Sequence, residues 1–253
     1  MSPLTLSDWH NRYLQQAAWT RPLRDYLYEK AGLSNSRRVL EVGCGTGALT
    51  AELDPLGVGR VFGVDLLAAA LDLAQQTSPQ AAFVQADGLA LPYPPGSFDL
   101  AYCHFLLLWV RDPQQALNEM ARVVRPGGAV LALAEPDYGG RIHYPEALDQ
   151  LGDWQQMAMR QQGADPRLGR KLAGLFSQAG LRDVETGVLG GQWRGAASRQ
   201  DWEAEWSVLR ADLQPHVPPA QLDRLQGLDE LAWKNGERVL FVPTFYAWGK
   251  VGS

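Results

Sequence analysis

The sequence predicts an α/β fold built around a doubly wound, mostly parallel sheet, and three observations support this prediction. Short apolar segments of strand length alternate with helix-like segments between residues 39 and 134, a pattern typical of parallel sheets covered by helices. The first predicted strand runs into a glycine-rich turn, and the second and third end at or near an aspartate. With 253 residues, 46% of them hydrophobic, the chain is long enough for one such domain with an added cap.

The first predicted element is a helix over residues 5–30, because apolar side chains recur there at helical intervals. Pro22 lies within it and could kink the helix or begin a second one. The alternating region then predicts strands over 39–42, 60–64, 81–84, 98–103 and 129–134, and helices over 46–53, 67–76 and 114–124. Beyond Glu135 the pattern changes, and it predicts helices over 145–162, 167–179, 198–213 and 219–234, with strands over 184–193 and 239–251.

Composition excludes several classes of protein. The net charge of −5 comes without a basic stripe, which disfavours a nucleic-acid substrate. Cys44 and Cys103 form no C-x-x-C pair, so neither a metal site nor a disulfide framework is predicted. The amino-terminal residues lack the pattern of a secretory signal, and no apolar run reaches membrane-spanning length. We therefore expect a cytoplasmic protein with no metal and no membrane partner.

The most informative segment is VLEVGCGTG at residues 39–47. Glycines at 43, 45 and 47 permit positive φ and a close approach of ligand to backbone, and a predicted helix start follows. This combination predicts a site for a nucleoside-bearing ligand. Two other interpretations also remain open. Gly43, Gly45 and Ala48 satisfy the G-x-G-x-x-A pattern of NAD enzymes, and the segment could also be a glycine-rich turn without a ligand.

Two aspartates follow the next two predicted strands. Asp65 lies 18 residues beyond Gly47, where an acid can accept hydrogen bonds from both ribose hydroxyls. Asp87 and Gly88 follow the third strand, where an acid suits the exocyclic amine of adenine. Each aspartate also has a structural interpretation, Asp65 as a surface acid and Asp87 as a turn former.

Taken in order, these features and two later motifs resemble the class I S-adenosylmethionine-dependent methyltransferases, in the small-molecule branch that includes ubiquinone/menaquinone-type enzymes. The later motifs are FDLAYC at 98–103 and RVVRPGG at 122–128, and the resemblance covers residues 38–136. It implies a Rossmann-like sheet of seven strands with the last strand antiparallel, and an added helical cap. It further implies a helical lid over 1–30, a cofactor-binding core over 31–140, and cap insertions plus the final strands over 141–253.

The resemblance also implies S-adenosylmethionine as the cofactor and a small, partly apolar methyl acceptor. Glu41 would support the glycine loop, Leu66 would pack on adenine, and Tyr13 and Gln16 would close over the cofactor. The implied cofactor-binding residues are Glu41, Gly43, Gly45, Gly47, Asp65, Leu66, Asp87, Gly88, His104, Tyr13 and Gln16. His104 is the first candidate for a catalytic base, followed by His143 and Tyr138, although a sulfonium donor requires positioning more than a base.

Two alternatives stay open at this stage. An NAD(P)-dependent oxidoreductase would need a nicotinamide pocket that we cannot place in the sequence. A non-catalytic S-adenosylmethionine-binding protein would share every cofactor motif. A nucleic-acid methyltransferase is disfavoured, because the chain has CHFL at 103–106 in place of an Asn-Pro-Pro-aromatic motif. The sequence predicts neither the acceptor atom nor the oligomeric state.

Overall fold

We analysed a computed structural model, which describes residues 5–190 and 199–252. Its strands are β1 (Arg38–Val42), β2 (Arg60–Asp65), β3 (Ala82–Gln85), β4 (Phe98–Cys103), β5 (Val124–Pro136), β6 (Ile142–Tyr144), β7 (Arg182–Leu189), β8 (Val239–Phe241) and β9 (Thr244–Lys250). Its helices are α1 (Leu6–Lys30), α2 (Thr50–Leu53), α3 (Ala68–Thr77), α4 (Pro113–Val123), α5 (Asp149–Gln161), α6 (Leu172–Gln178), α7 (Arg199–Leu213) and α8 (Pro219–Lys234).

Seven strands form the main sheet, in the order β3-β2-β1-β4-β5-β9-β7. The first five pair in parallel, whereas β9 is antiparallel to both β5 and β7. The predicted doubly wound sheet with an antiparallel last strand is therefore confirmed. Strands β6 and β8 pair separately as a small antiparallel sheet, of which the β6 strand was not predicted.

Both faces of the main sheet are buried, as a parallel sheet requires. Leu40 and Val42 of β1 lie in one apolar core with α4 and α6, while Val39 lies in a second core with α1. This alternation follows from the two-residue period of a strand. A third core joins α5, α7 and α8, and the buried indoles of Trp202 and Trp206 belong to it.

Helix α1 is continuous through Pro22, so the proline neither ends it nor begins a second helix. Its start is fixed by a capping box, in which Thr5 accepts a hydrogen bond from the Asp8 backbone and the Asp8 carboxylate accepts one from Thr5. Leu23 and Leu27 bury its inner face against the sheet. No described helix combines the length and apolar character needed to span a membrane.

Several predicted bounds were wrong. The helix predicted over 46–53 begins only at Thr50, because the glycine loop continues through Gly47 with positive φ. The helices predicted over 145–162 and 167–179 shorten to α5 and α6, each preceded by a 3-10 turn. The strand predicted over 184–193 is β7, which ends at Leu189, and residues 191–193 lie outside the described residues.

The single strand predicted over 239–251 divides into β8 and β9, which belong to different sheets. Pro243 lies between them and has no N–H to donate to a ladder. Its carbonyl instead accepts a hydrogen bond from the backbone of Asp137 at 2.7 Å. The division therefore follows from a proline that ties the chain to the end of β5.

Candidate functional site

The sheet order places three predicted site segments side by side. Strands β3, β2 and β1 are neighbours and run in the same direction, so their carboxyl ends share one edge of the sheet. Asp87, Asp65 and the glycine loop follow these three strands. Carboxyl edges of this kind are where open α/β sheets bind their ligands.

The glycine loop turns sharply at the end of β1. The backbone N–H groups of Gly43 and Cys44 both donate to the Val64 carbonyl, at 2.8 and 3.0 Å. Gly43, Gly45 and Gly47 have φ values of 74°, 50° and 76°, which side chains other than glycine's rarely allow. At Gly43 a Cβ would also lie only 2.6 Å from the Leu106 side chain. Glycine is therefore favoured at all three positions by the backbone conformation, and at Gly43 its lack of a side chain also leaves room for Leu106.

The Asp65 carboxylate connects this loop to the following helix. One oxygen accepts from the Gly45 backbone at 2.8 Å, and the other accepts from the Leu67 backbone at 3.0 Å. Each oxygen can accept a further hydrogen bond. Asp87 is half-buried and accepts from the Leu89 backbone at 2.9 Å, while a Cβ on Gly88 would lie 3.1 Å from Val42.

Apolar side chains stand exposed beside these two carboxylates. Leu66 and Leu67 are 61% and 64% exposed, and Val84 at the end of β3 is 37% exposed. A planar ligand could pack one face on these apolar side chains and donate hydrogen bonds from its edge to the two carboxylates.

Helix α1 lies against the glycine loop. The His10 imidazole bonds the Thr46 hydroxyl through Nδ1 at 2.7 Å, and a Cβ on Gly45 would lie 3.1 Å from the Tyr13 ring. Burial and the nearby Asp65 carboxylate raise the pKa of Tyr13. Gln16 lies one turn further along the same helix. The structure therefore brings Tyr13 to the loop, and the position of Gln16 at the cofactor stays a prediction.

Two further contacts attach α1 to the core. The Thr20 hydroxyl lies 3.0 Å from Nε2 of His104, and the fully buried Arg24 donates to both carboxylate oxygens of Glu52 in α2. Burial, with a smaller effect of the Arg24 charge, lowers the pKa of His104 to about 3. His104 is therefore neutral at physiological pH and is a weak proton acceptor.

Glu41 lies beneath the glycine loop, buried within β1. Its carboxylate accepts from the hydroxyls of Thr50 and Tyr102. Burial raises the pKa of Glu41 to about 7, although these hydrogen bonds oppose the shift. The residue thus ties α2 and β4 to β1, and its support of the bound cofactor stays a prediction.

Sequence reasoning missed the matching acid at the end of β5. Glu135 is fully buried and accepts from three successive backbone N–H groups, those of Leu106, Leu107 and Leu108, at 2.9 to 3.2 Å. Burial raises the pKa of Glu135 to about 7 against these hydrogen bonds. This carboxylate fixes the loop after β4. An acid directly after an apolar strand was the available signal.

The other two candidate bases lie in the segment that follows β5. Tyr138 follows β5 and packs against the same apolar core as Phe105 and Leu106 of the loop, and burial raises the pKa of its phenol. His143 lies on β6, where its Nδ1 is 3.0 Å from Nη2 of Arg238. Burial and the charges of Arg141 and Arg238 lower the pKa of His143 to about 2. Neither residue has the pKa of a base suited to neutral pH.

His10, Thr20 and Arg24 were not predicted to contact the site, since no local pattern distinguishes them from other helix residues. Among the described residues there is no group of three or more His, Cys, Asp or Glu side chains that could hold a metal ion. Both cysteines are buried and unpaired.

Comparison with known proteins identifies the family. A family model described as a methyltransferase domain matches residues 40–132. The chain is 30% identical over 267 aligned positions to the malonyl-[acyl-carrier protein] O-methyltransferase of Halorhodospira halophila, covering 96% of this chain and 85% of that protein. The chain belongs to the class I S-adenosylmethionine-dependent methyltransferases. It belongs to the small-molecule branch of that family, as the motifs implied.

A second relative of this methyltransferase is the demethylmenaquinone methyltransferase of Bacillus licheniformis, 31% identical over 64% of this chain and 78% of that protein. Alignments with some other curated relatives span about half of their length. Phosphoethanolamine N-methyltransferase 2 of Haemonchus contortus, solved with S-adenosyl-L-methionine, shares the fold with a TM-score of 0.57 at 13% identity, covering 100% of this chain and 61% of that one. The cofactor is S-adenosylmethionine, and an NAD(P)-dependent oxidoreductase is not favoured.

Proposed function

We propose that this methyltransferase holds its cofactor along the carboxyl edge of β3, β2, β1 and β4, and methylates a small, partly apolar acceptor. The observation that supports this most is the row formed by Asp87, Asp65 and the glycine loop at the ends of three adjacent parallel strands. In this arrangement Asp87 would accept from the adenine amine and Asp65 from the ribose hydroxyls. Gly43 to Gly47 would line the methionine portion, with His104 next along the edge.

The residues present fit this cofactor in their chemistry. Both carboxylates retain acceptor capacity, and the exposed Leu66 provides an apolar surface for a purine beside them. When bound, S-adenosylmethionine supplies a methyl group on a sulfonium sulfur, which keeps the bonding electron pair and leaves as the thioether of S-adenosylhomocysteine.

The protein's contribution would then be orientation and exclusion of water. Glu135 fixes the backbone of the loop over 106–108. Glu41 accepts from the side chains of Thr50 and Tyr102 at the base of the glycine loop. Helix α1 would cover the site through His10 and Tyr13. Because His104 is neutral and weakly basic, positioning would supply most of the rate enhancement, for which well-held reactants can provide about 7–11 kcal/mol.

The acceptor class rests on the apolar loop and on the relatives. Residues 105–110 (FLLLWV) follow β4 at the predicted methyl position, and the net charge of −5 disfavours nucleic acid. The named relatives act on demethylmenaquinone and on malonyl-[acyl-carrier protein].

The test is incubation of the protein with methyl-labelled S-adenosylmethionine and fractionated lysate. We expect label in the small-molecule fraction, and we expect Asp65→Ala to lose most of it while the remote Asp99→Ala variant retains it. Label confined to nucleic acid or protein would contradict the proposed acceptor class. Binding of the cofactor without transfer to any fraction would instead favour the non-catalytic alternative.

We also propose a cytoplasmic location, because Cys44 and Cys103 are free thiols that suit a reducing compartment. Cell fractionation with an antibody against the protein tests this, and recovery outside the cytoplasmic fraction would contradict it.

A further inference from the structure

Beside the proposed cofactor edge lies a group of buried polar side chains that the cofactor does not use. Arg141 and His143 both lie against Gly152 of α5, where a Cβ would be 3.4 Å from Cδ of Arg141 and 3.6 Å from Nε2 of His143. Tyr138, which precedes both residues, packs on the same core as the loop after β4, and the charges of Arg141 and of Arg12 on α1 both act on its phenol. We therefore place the group next to the position predicted for the transferred methyl group.

Arg141 is a partly buried cation that forms no ion pair with a described carboxylate, and two of its guanidinium nitrogens are shielded from solvent. Its Nη1 donates to the Gln155 side chain, a neutral amide. Its Nε and Nη2 atoms are shielded from solvent and have no hydrogen-bond partner among the described side chains and backbone. No described carboxylate forms an ion pair with it. A buried charge left in this state is destabilising, and burial accordingly lowers the pKa of Arg141.

The two unused donors form one edge of the guanidinium group, and that edge binds carboxylates elsewhere in this chain. Nε and Nη2 of Arg122 donate to the two oxygens of Glu119 at 2.6 and 2.7 Å. The same two atoms of Arg170 donate to the two oxygens of Asp137. In Arg141 the equivalent edge is buried and has no carboxylate. Its geometry suits a planar carboxylate held by two parallel hydrogen bonds.

His143 adds a third unused donor. Arg238 can only donate, so Nδ1 of His143 must accept its hydrogen bond, and the neutral ring then carries its proton on Nε2. That Nε2 atom is buried and also has no partner among the described residues. Three donor nitrogens on two neighbouring side chains are therefore bonded to no described acceptor.

Neighbouring charges do not supply the missing partner. Glu205 is paired with Arg12 at 2.9 Å, and Asp229 is paired with Arg238. Arg12 directly precedes Tyr13, which lies against the glycine loop, so this pair connects the Arg141 region to the cofactor edge. The charges of Glu205 and Asp229 act on Arg141, but neither carboxylate bonds it, so its Nε and Nη2 donors remain available to a ligand.

We propose that the methyl acceptor carries a carboxylate, which the Nε and Nη2 atoms of Arg141 bind side-on with Nε2 of His143 as an additional donor. The proposal rests on the proposed function, because the region belongs to the acceptor only if the cofactor lies on the adjacent edge. It assigns Arg141 and His143 to acceptor binding and orientation, and it requires no proton transfer from either.

Benzoate is a suitable probe, because it joins a planar carboxylate to an apolar ring, and benzamide is its uncharged analogue. We would titrate each into the full chain saturated with S-adenosylhomocysteine, by calorimetry. We expect benzamide to bind at least about tenfold more weakly than benzoate, and Arg141→Met to weaken benzoate to the same degree. Arg160→Met is the matched control on α5, since Arg160 is exposed and bonds only a neutral amide. It should leave benzoate affinity unchanged.

The Arg141→Met variant should fold, because it removes a partly buried charge that forms no ion pair with a described carboxylate. Arg141→Lys keeps the charge without the two-pronged donor edge and should also weaken benzoate. Equal benzoate affinity of Arg141→Met and wild type, or no benzoate binding to wild type, would overturn the proposal. Preference for inorganic phosphate over benzoate would overturn the carboxylate assignment.

The two proposals fail separately in this design. Absence of S-adenosylhomocysteine binding to wild type would refute the proposed function, whatever benzoate does. Normal S-adenosylhomocysteine binding together with benzoate binding that ignores Arg141 would refute only the present inference. With lysate as the acceptor source, the methylated compound should come from the fraction retained on an anion-exchange resin, and Arg141→Met should not methylate it.

Discussion

Replacing Asp65 with alanine tests its proposed contact with the ribose, provided that the effect on cofactor affinity is distinguished from the effect on stability. The carboxylate accepts two backbone N–H groups, from Gly45 and Leu67, and is proposed to accept two ribose hydroxyls as well. A hydrogen bond to a charged group contributes about 1.5–3 kcal/mol, and 1.4 kcal/mol corresponds to a factor of ten in affinity. Loss of one ribose bond should therefore weaken S-adenosylhomocysteine binding about tenfold, and loss of both by more than about a hundredfold.

Asp99 provides the matched control at the opposite edge of the sheet. One of its oxygens accepts from the backbone of Arg37 at 2.8 Å and of Arg38 at 2.9 Å, and the other accepts from the Arg125 side chain. Asp99→Ala thus also removes two backbone hydrogen bonds. Each variant should lose about 1–3 kcal/mol of unfolding free energy in urea titrations, but only Asp65→Ala should lose affinity in calorimetry.

Two results would refute this reasoning. Unchanged affinity of a folded Asp65→Ala protein would remove Asp65 from the cofactor site. Equal loss of affinity in Asp65→Ala and Asp99→Ala would show that the effect arises from general destabilisation rather than from a ribose contact.

Four further predictions follow from the same geometry. If Asp87 accepts from the adenine amine, an inosine-type cofactor analogue should bind more weakly in calorimetry, with Asp87→Ala losing more affinity than Asp87→Asn; an analogue that binds equally well contradicts the contact. Cofactor should slow amide exchange across residues 9–20, and identical exchange with and without it would rule out a lid. Burial raises the pKa of Glu41 to about 7, so the stability that its protonated form contributes is present below pH 4.5 and is lost as the pH rises to 7. Between pH 4.5 and 8, the free energy of unfolding of Glu41→Gln in urea should therefore rise relative to that of wild type by up to about 3 kcal/mol. A difference between the two proteins that does not change with pH would contradict this. Because the pKa of His104 is lowered to about 3, His104→Gln should leave the pH profile of turnover unchanged between pH 5 and 8, and the loss of an inflection there would argue for a base.

Local patterns predicted the fold and the strand ends that carry the candidate site residues. Strand length, alternation with helices and glycine spacing are properties of short windows, and they located β1 to β5, the glycine loop and both aspartates. The predicted start of α2 was wrong because three glycines with positive φ extend the loop. The spacing of apolar residues, from which the helix was predicted, carries no information about φ. The division of the last strand at Pro243 depended on a contact with Asp137, which lies more than a hundred residues earlier.

Contacts between distant segments account for what the sequence could not predict. The pairing of Thr20 with His104 joins residues 84 positions apart, and Arg238 meets His143 across 95. Nothing near Arg141 in the chain indicates that two of its nitrogens are buried without a partner. Such properties depend on which elements pack together, and many packings are compatible with one pattern of helices and strands.

The place of β9 in the sheet has a consequence for how the chain folds. This strand follows all the other strands of the sheet in sequence, yet it lies inside the sheet, between β5 and β7. Until it inserts, both neighbouring strands present open backbone edges, and β7 has no other pairing to the sheet. A nascent chain, or one cleaved before β9, would therefore expose the unpaired backbone edges of β5 and β7, to which other chains can pair. Completion of the sheet is a late, long-range event, and the interval before it is when aggregation competes with folding.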